Sequence, residues 1–125
     1  MWLTTQHGFF SVVQDKADAT KLQVRSRERR DLENFGNLVG WSSEETAREI
    51  IETRGADYQW RIVVSREVVA RFQQQALEQV TYPNFKSRIA ALPDQRHKSQ
   101  ALHDVWDATA ALQQCAPYST RPRTS

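Results

Sequence analysis

This chain of 125 residues contains a single cysteine, Cys115, and that scarcity excludes two kinds of structural support. One cysteine cannot form an internal disulfide, and the sequence has neither a CxxC pair nor a Cys/His cluster of the kind that holds structural zinc. We therefore expect no bound metal and a reducing, cytoplasmic location.

Long apolar runs are also missing. No segment approaches the roughly 20 apolar residues of a membrane-spanning helix. The first residues, MWLTTQHGFFSVVQ, lack the basic region that opens an export signal. The sequence thus predicts neither a membrane anchor nor an export signal.

Catalytic motifs are scarce as well. Four scattered glycines cannot build a phosphate-binding loop, and no GxSxG nucleophile motif occurs, so we expect no cofactor and favour a non-enzymatic role. His97 and His103 are six residues apart, which does not fit a metal-binding pair on one helix face. A small hydrolase using His7, Asp57, His103 or Asp104 is the remote alternative.

The composition that remains is that of an ordinary folded domain, with 39% apolar, 10% aromatic and 26% charged residues. Neither repeats nor a Gly/Ser linker divides the chain. We expect one globular domain over residues 1–115, followed by a disordered basic tail over residues 116–125.

Charge is segregated along the chain. The net charge is only +2, yet residues 21–30 carry +4 and residues 31–57 carry −5. Such segregation indicates one basic and one acidic surface region rather than an evenly mixed surface.

Three strands are predicted in the first quarter of the chain. Residues 2–5 and 8–14 are short and rich in aromatic and β-branched residues. The second of these is apolar on both faces and should not be an edge strand. Residues 21–26 alternate, with Leu22 and Val24 on one face and a basic side chain at Arg25 on the other.

The middle of the chain is harder to interpret. Residues 27–35 are typical of a short helix. In residues 42–54, Ser42 and Glu45 fit a helix capping box, but we prefer a strand near 48–53, joined at Gly55 to a second strand over 58–64.

The last half of the chain is predicted to be helical. We predict a helix over residues 66–80, a short helix over residues 85–91 and a last helix that begins after Asp94. We expect its apolar stripe, Leu102, Val105, Trp106, Thr109 and Leu112, to face the core. The fold class is α+β, a mostly antiparallel sheet of about five strands with helices packed on one face.

Several segments together resemble a group of small uncharacterised bacterial proteins. They are MW at the start, GFFSVV, LQVRSR with DLENF, ADYQWR, YPNFK and HDVW, and they span residues 1–106. Relative to that group, residues 36–49 look like an expansion. The resemblance implies a shared fold and carries no activity, cofactor or site residue.

The best candidate binding surface is basic. Arg25 and Arg27 lie on one side of the third strand, and Arg61 is expected on the same side of the hairpin strand. Tyr58 and Trp60 occupy the same alternate positions as the core residues of their strand, so we expect their rings to point into the core. The basic face should then lack aromatic stacking partners. The alternative is a solvated face balanced by the acidic segment.

Two further sites are candidates for contact with a partner. The loop YPNFK presents Tyr82, Asn84 and Lys86, although Asn84 is also expected simply to cap the next helix. Trp41 lies between glycine and serine, where an exposed tryptophan would be an anchor for a protein partner and a buried one would belong to the core.

These observations favour a non-catalytic macromolecule-binding or accessory protein. A protein partner is preferred, because a net charge of +2 with a −5 segment is poorly suited to phosphate binding. An inhibitor or regulator encoded on a mobile element fits the small size. The alternative is a nucleic-acid-binding protein that uses the basic face, with Arg29 and Arg30 added to it.

Overall fold

A computed structural model describes residues 1–114, which form two compact units, residues 1–83 and the residues from Asn84 on. The first unit contains five strands and three helices. The strands are β1 (Trp2–Thr5), β2 (Gly8–Gln14), β3 (Lys21–Ser26), β4 (Ile51–Glu52) and β5 (Trp60–Ser65). The helices are α1 (Arg29–Leu38), α2 (Ser43–Glu49) and α3 (Arg66–Glu78).

The second unit is helical over the part that the structure describes. It contains α4 (Phe85–Ala91), a 3-10 turn (Arg96–Lys98), α5 (Ser99–Ala110) and a final 3-10 turn (Ala111–Gln114). The expected tail over residues 116–125 and Cys115 lie outside the described residues.

The five strands form one antiparallel sheet in the order β1-β2-β3-β5-β4. Helices α1 and α3 pack on one face of it, which we call the core face. The predicted α+β class and five-stranded sheet are therefore confirmed. The core-face residues of the strands and the helix residues that cover them are Phe10, Val12, Val24, Ile62, Val64, Leu32, Phe35, Val69 and Phe72.

The first three strands have the predicted bounds. Aromatic and β-branched residues marked the first two, and alternation marked the third. Strand β2 lies between β1 and β3, as its two apolar faces predicted. The hairpin at Gly55 is also confirmed: Ile51 pairs with Arg61, and Gly55 has a φ of +82°, a conformation that glycine adopts without strain.

The preferred strand near residues 48–53 is present but much shorter than expected, because a helix occupies the first part of this segment. Ser42 Oγ accepts a hydrogen bond from the Glu45 N–H at 3.1 Å, and the Glu45 carboxylate accepts one from the Ser42 N–H at 3.4 Å. This capping box starts α2, which leaves only Ile51–Glu52 for the strand. Helix α2 then packs closely on α1, where Thr46 fills the space that a side chain at Gly36 would need.

The predicted core stripe of the last helix was also wrong. Every residue of α5 is at least partly exposed to solvent. Trp106 is 55% exposed, and Val105 and Thr109 are exposed as well. Leu112, in the 3-10 turn that follows α5, is also exposed. Periodicity identifies which residues share a helix face, but it does not determine whether another element covers that face.

Helix α1 is anchored to the sheet by a buried carboxylate. Asp31 Oδ2 accepts hydrogen bonds from the Phe9 N–H at 3.1 Å and from Ser26 Oγ at 3.3 Å. Gly8 lies against this carboxylate, and a Cβ at Gly8 would collide with it. One side chain in the first turn of α1 thus joins the helix to both β2 and β3.

We predict that Asp31→Ala lowers the free energy of unfolding by about 1–3 kcal/mol, because the Phe9 N–H loses its acceptor, whereas the Ser26 hydroxyl can still donate to the Phe9 carbonyl at 3.2 Å. Urea unfolding followed by circular dichroism measures this. Glu33→Ala is the control on the same helix, since its exposed ion pair with Arg29 is worth at most about 1 kcal/mol. Equal losses in both variants would contradict the anchoring role of Asp31.

Candidate functional site

The face of the sheet opposite α1 and α3 carries the arginines of the predicted site, and we call it the outer face. Strand alternation and the pairing register place a mixed set of cationic, polar and apolar side chains there. They are Trp2, Thr4, Phe9, Ser11, Val13, Lys21, Gln23, Arg25, Arg61 and Val63.

Two arginines face each other across the centre of this face. Arg25 on β3 is the direct cross-strand partner of Arg61 on β5. Like charges in directly opposite positions destabilise a sheet. Fold stability alone therefore does not account for this pair.

The two guanidinium groups are held by neutral acceptors. Arg25 Nη2 donates to Ser11 Oγ at 2.7 Å. Arg61 donates to Gln23 Oε1 and to the Tyr58 carbonyl, both at 3.1 Å. The Nε atoms of both arginines are shielded from solvent and have no hydrogen-bond acceptor among the described residues.

Tyr58 adds a third arginine to the group. The guanidinium carbons of Arg25 and Arg27 lie over the Tyr58 ring, 4.8 and 4.5 Å from its centroid. Arg27 Nη1 also donates to the Asp57 carbonyl at 2.6 Å. We call Arg25, Arg27 and Arg61 the arginine cluster.

Tyr58 is buried, as expected, but it lies outside the apolar core cluster. Strand β5 begins at Trp60, so Tyr58 precedes the strand. The alternation that directs Trp60 toward the core therefore does not apply to Tyr58. Trp60 packs against the core as expected, whereas the buried Tyr58 ring contacts two arginines. An aromatic residue thus supports the cluster, and the alternation pattern did not identify it.

The positive charge of the cluster is not neutralised locally. Within residues 1–114, no carboxylate forms an ion pair with Arg25, Arg27 or Arg61. Most of the acidic segment is not on the outer face. Glu33 is on α1 and Glu44 is on α2, and both helices belong to the layer on the core face. The predicted balance between the basic face and residues 31–57 is therefore weak.

A line of side chains connects the cluster to the end of β2. Asp15 Oδ1 accepts a hydrogen bond from Gln23 Nε2 at 2.9 Å, and Gln23 in turn accepts one from Arg61. The bond from Gln23 is the main reason that the pKa of Asp15 lies below its ordinary value.

Apolar side chains flank the arginines. Trp2 is 65% exposed and its ring meets the Phe9 ring edge-on at 5.4 Å. Val13 and Val63 are half-buried. The outer face therefore combines a cationic centre with accessible apolar and aromatic surface.

The loop YPNFK lies at the boundary between the two units. Asn84 Oδ1 accepts a hydrogen bond from the Ser87 N–H at 2.8 Å, so the expected capping of α4 is confirmed. Tyr82 belongs to the first unit, and Lys86 belongs to the second. Lys86 Nζ lies 3.2 Å from His103 Nδ1 and 4.7 Å from the Trp106 ring centroid.

Trp41 is half-buried and belongs to the helical layer. Its ring lies 6.4 Å from that of Phe35, in edge-on contact. It also lines a polar groove of about 420 Å³ between α1 and α2. The structure therefore separates Trp41 from the arginine cluster.

The histidines and carboxylates of the remote hydrolase alternative do not form a cation site. Over the described part of the chain, no group of three or more His, Cys, Asp or Glu side chains is arranged to hold a metal ion. His103 Nε2 lies 3.3 Å from Asp107 Oδ2 on the same helix, and His7 lies at the turn after β1.

Comparison of the chain with protein families, curated proteins and solved structures gives no match. The resemblance of its segments to small bacterial proteins remains an expectation. None of the helices within residues 1–114 is long and apolar enough to cross a membrane.

We predict that Gln23→Met raises the pKa of Asp15 toward its ordinary value of 3.8, because the main hydrogen bond to the charged form is lost. A depressed carboxyl pKa stabilises the fold above the ordinary value and ceases to do so as the pH falls through the folded-state pKa. Carboxyl carbon NMR titration measures the change. The pKa of Asp18, which the Thr20 hydroxyl lowers, is the internal control and should stay constant.

Proposed function

We propose that this protein is a non-catalytic binding protein whose outer face contacts a partner protein with an acidic and apolar surface. The observation that carries the proposal is the arginine cluster, which has no carboxylate partner among the described residues and lies beside accessible apolar side chains. The single cysteine favours a cytoplasmic partner.

The chemistry of the face matches the central part of a protein interface. Arginine and aromatic residues are enriched at such positions and contribute much of the binding free energy. A partner carboxylate would neutralise the repulsion between Arg25 and Arg61, and a two-oxygen acceptor suits the planar guanidinium group. Trp2 and Val63 would pack against the apolar part of the partner.

The local supports of the cluster reduce the cost of binding. Ser11, Gln23 and Tyr58 already hold the guanidinium groups in place, so less side-chain freedom is lost when a partner binds. Such a protein would act by occupying a surface of its partner, as an inhibitor or regulator does. Its small size is compatible with a gene carried on a mobile element.

Single-stranded nucleic acid is the second candidate ligand. It is favoured by the presence of Trp2 and Phe9 on the same face as the arginines, since bases stack on aromatic rings while cations contact phosphates. Among the described residues, the outer face has the three arginines of the cluster and Lys21 as its cationic side chains, and this small number favours the protein partner.

A photo-crosslinking experiment tests the protein partner. Benzoylphenylalanine at Val63 samples the outer face, and the same group at Gln74 on α3 samples the helical side. We expect an adduct from Val63 alone, and its partner is then purified for binding measurements.

In those measurements, Arg25→Ala with Arg61→Ala should weaken binding roughly tenfold or more, which corresponds to about 1.4 kcal/mol. Arg54→Ala is the matched control, because Arg54 already pairs with Glu52. Unchanged affinity in the double variant, with its fold verified by circular dichroism, would disprove a role for the cluster.

The nucleic-acid candidate is tested by fluorescence anisotropy with labelled oligo-dT and oligo-U. Binding through phosphates should weaken steeply between about 50 and about 200 mM salt and should depend on Arg25 and Arg61. A flat response, or no binding at low salt, excludes this candidate and leaves the protein partner.

A further inference from the structure

The first strand of the sheet has a free edge. Within residues 1–114, strand β1 pairs with β2 alone, whereas β4 forms the opposite edge of the sheet. An unpaired strand edge presents backbone N–H and C=O groups that can pair with another strand. The two edges of this sheet differ in how well they are protected against such pairing.

The β4 edge is protected and the β1 edge is not. Strand β4 has only two residues, and Glu52 and Arg54 place charges at that edge. Short length and charge both discourage edge-to-edge pairing. Strand β1, with the sequence WLTT, contains neither a charged residue nor a proline.

The hydrogen-bond pattern shows which groups of β1 point outward. The Met1 ammonium donates to the Val12 carbonyl at 2.8 Å, and the Met1 carbonyl accepts from the Val12 N–H at 2.7 Å, so these two residues form a hydrogen-bonded pair. Bonded and non-bonded pairs alternate along an antiparallel ladder, so Leu3 and Thr5 also bond to β2. The N–H and C=O groups of Trp2 and Thr4 therefore point to the free edge.

A groove of about 350 Å³, lined by both apolar and polar side chains, runs between β1 and α3. Leu77 is 73% exposed and Val80 is 51% exposed at this groove. Among the described residues that line it, Asp, Glu, Lys and Arg are absent. The edge strand and the groove thus form one uncharged surface.

We propose that β1 pairs antiparallel with β1 of a second copy of this chain, giving a two-fold dimer with one continuous sheet. In the register that keeps both core faces on one side, Trp2 of each copy exchanges hydrogen bonds with Thr4 of the other. The two Leu3 residues, one from each copy, are then directly opposite each other and form a non-hydrogen-bonded pair of the antiparallel ladder.

A second copy fits this edge better than an unrelated strand does. The two outward-pointing residues, Trp2 and Thr4, are placed symmetrically about Leu3, so the strand is complementary to itself. Because the surface is uncharged, two copies meet without repulsion between like charges. Since the β4 edge is protected, pairing closes at two copies and does not continue into a filament.

The dimer would cover apolar surface that is exposed to solvent in the single chain. The exposed Leu77 and Val80 side chains of both copies would be brought to the groove beside the new strand pair. The two outer faces would lie on the same side of the continuous sheet, with the Trp2 side chains near the two-fold axis. This inference does not depend on what the outer face binds.

Sedimentation analysis tests the proposal with a proline at the free edge. We expect the wild type to have twice the chain mass of 14.5 kDa and Thr4→Pro to be monomeric. The Thr4 N–H points away from β2, so proline removes a bond only from the proposed interface. Thr4→Ala is the control and should remain dimeric. A monomeric wild type at high micromolar concentration, or a Thr4→Pro variant that is still dimeric, overturns the proposal.

Cross-linking provides the second test. In a Cys115→Ser background, Leu3→Cys should form a disulfide-linked dimer, because non-bonded antiparallel pairs have Cα atoms about 4.5 Å apart, within the range of a disulfide. Glu52→Cys on the other edge is the control and should not cross-link. Cross-linking at Glu52 alone, or equal cross-linking at both edges, contradicts the assigned edge. If no cross-link forms and dimers persist, a different interface joins the copies.

Discussion

The architecture depends on the hydrogen bonds that join Asp31 to the sheet. In the first turn of α1, this buried carboxylate accepts from the Phe9 N–H and from the Ser26 hydroxyl. Its position requires the glycine at residue 8, which leaves room for it. These contacts fix α1 over the middle of the sheet, where Leu32 and Phe35 complete the apolar core. The helical layer of the first unit is thereby placed on one face, and the other face keeps its own chemistry.

The outer face carries positive charge that does not contribute to the stability of the fold. Arg25 and Arg61 are direct neighbours across two strands, and neutral groups from Ser11, Gln23 and Tyr58 hold them. Stability alone would be better served by a carboxylate at one of these positions. A cationic pair that is held rigid and left without a counter-charge is typical of a surface that binds an acidic partner. The proposed function follows from this arrangement.

The free edge of β1 contributes a second property, which is independent of charge. Its outward backbone groups, the exposed Leu77 and Val80, and the uncharged groove favour contact with an equally uncharged strand. The opposite edge carries Glu52 and Arg54 and is only two residues long. One surface of the first unit is thus suited to a charged partner, and one edge is suited to self-association.

The sequence by itself determined the local elements whose patterns are unambiguous. Aromatic and β-branched residues predicted β1 and β2 with their bounds, and alternation predicted β3, because a half-buried strand repeats every two residues. It did not decide between strand and helix around residue 48, where a capping box competed with apolar residues for the same segment. Only the tertiary structure determined that Tyr58 supports the arginines and that the apolar stripe of α5, including Trp106, is exposed. Local patterns specify which side chains share a face, whereas contact and burial depend on what the rest of the chain places against that face.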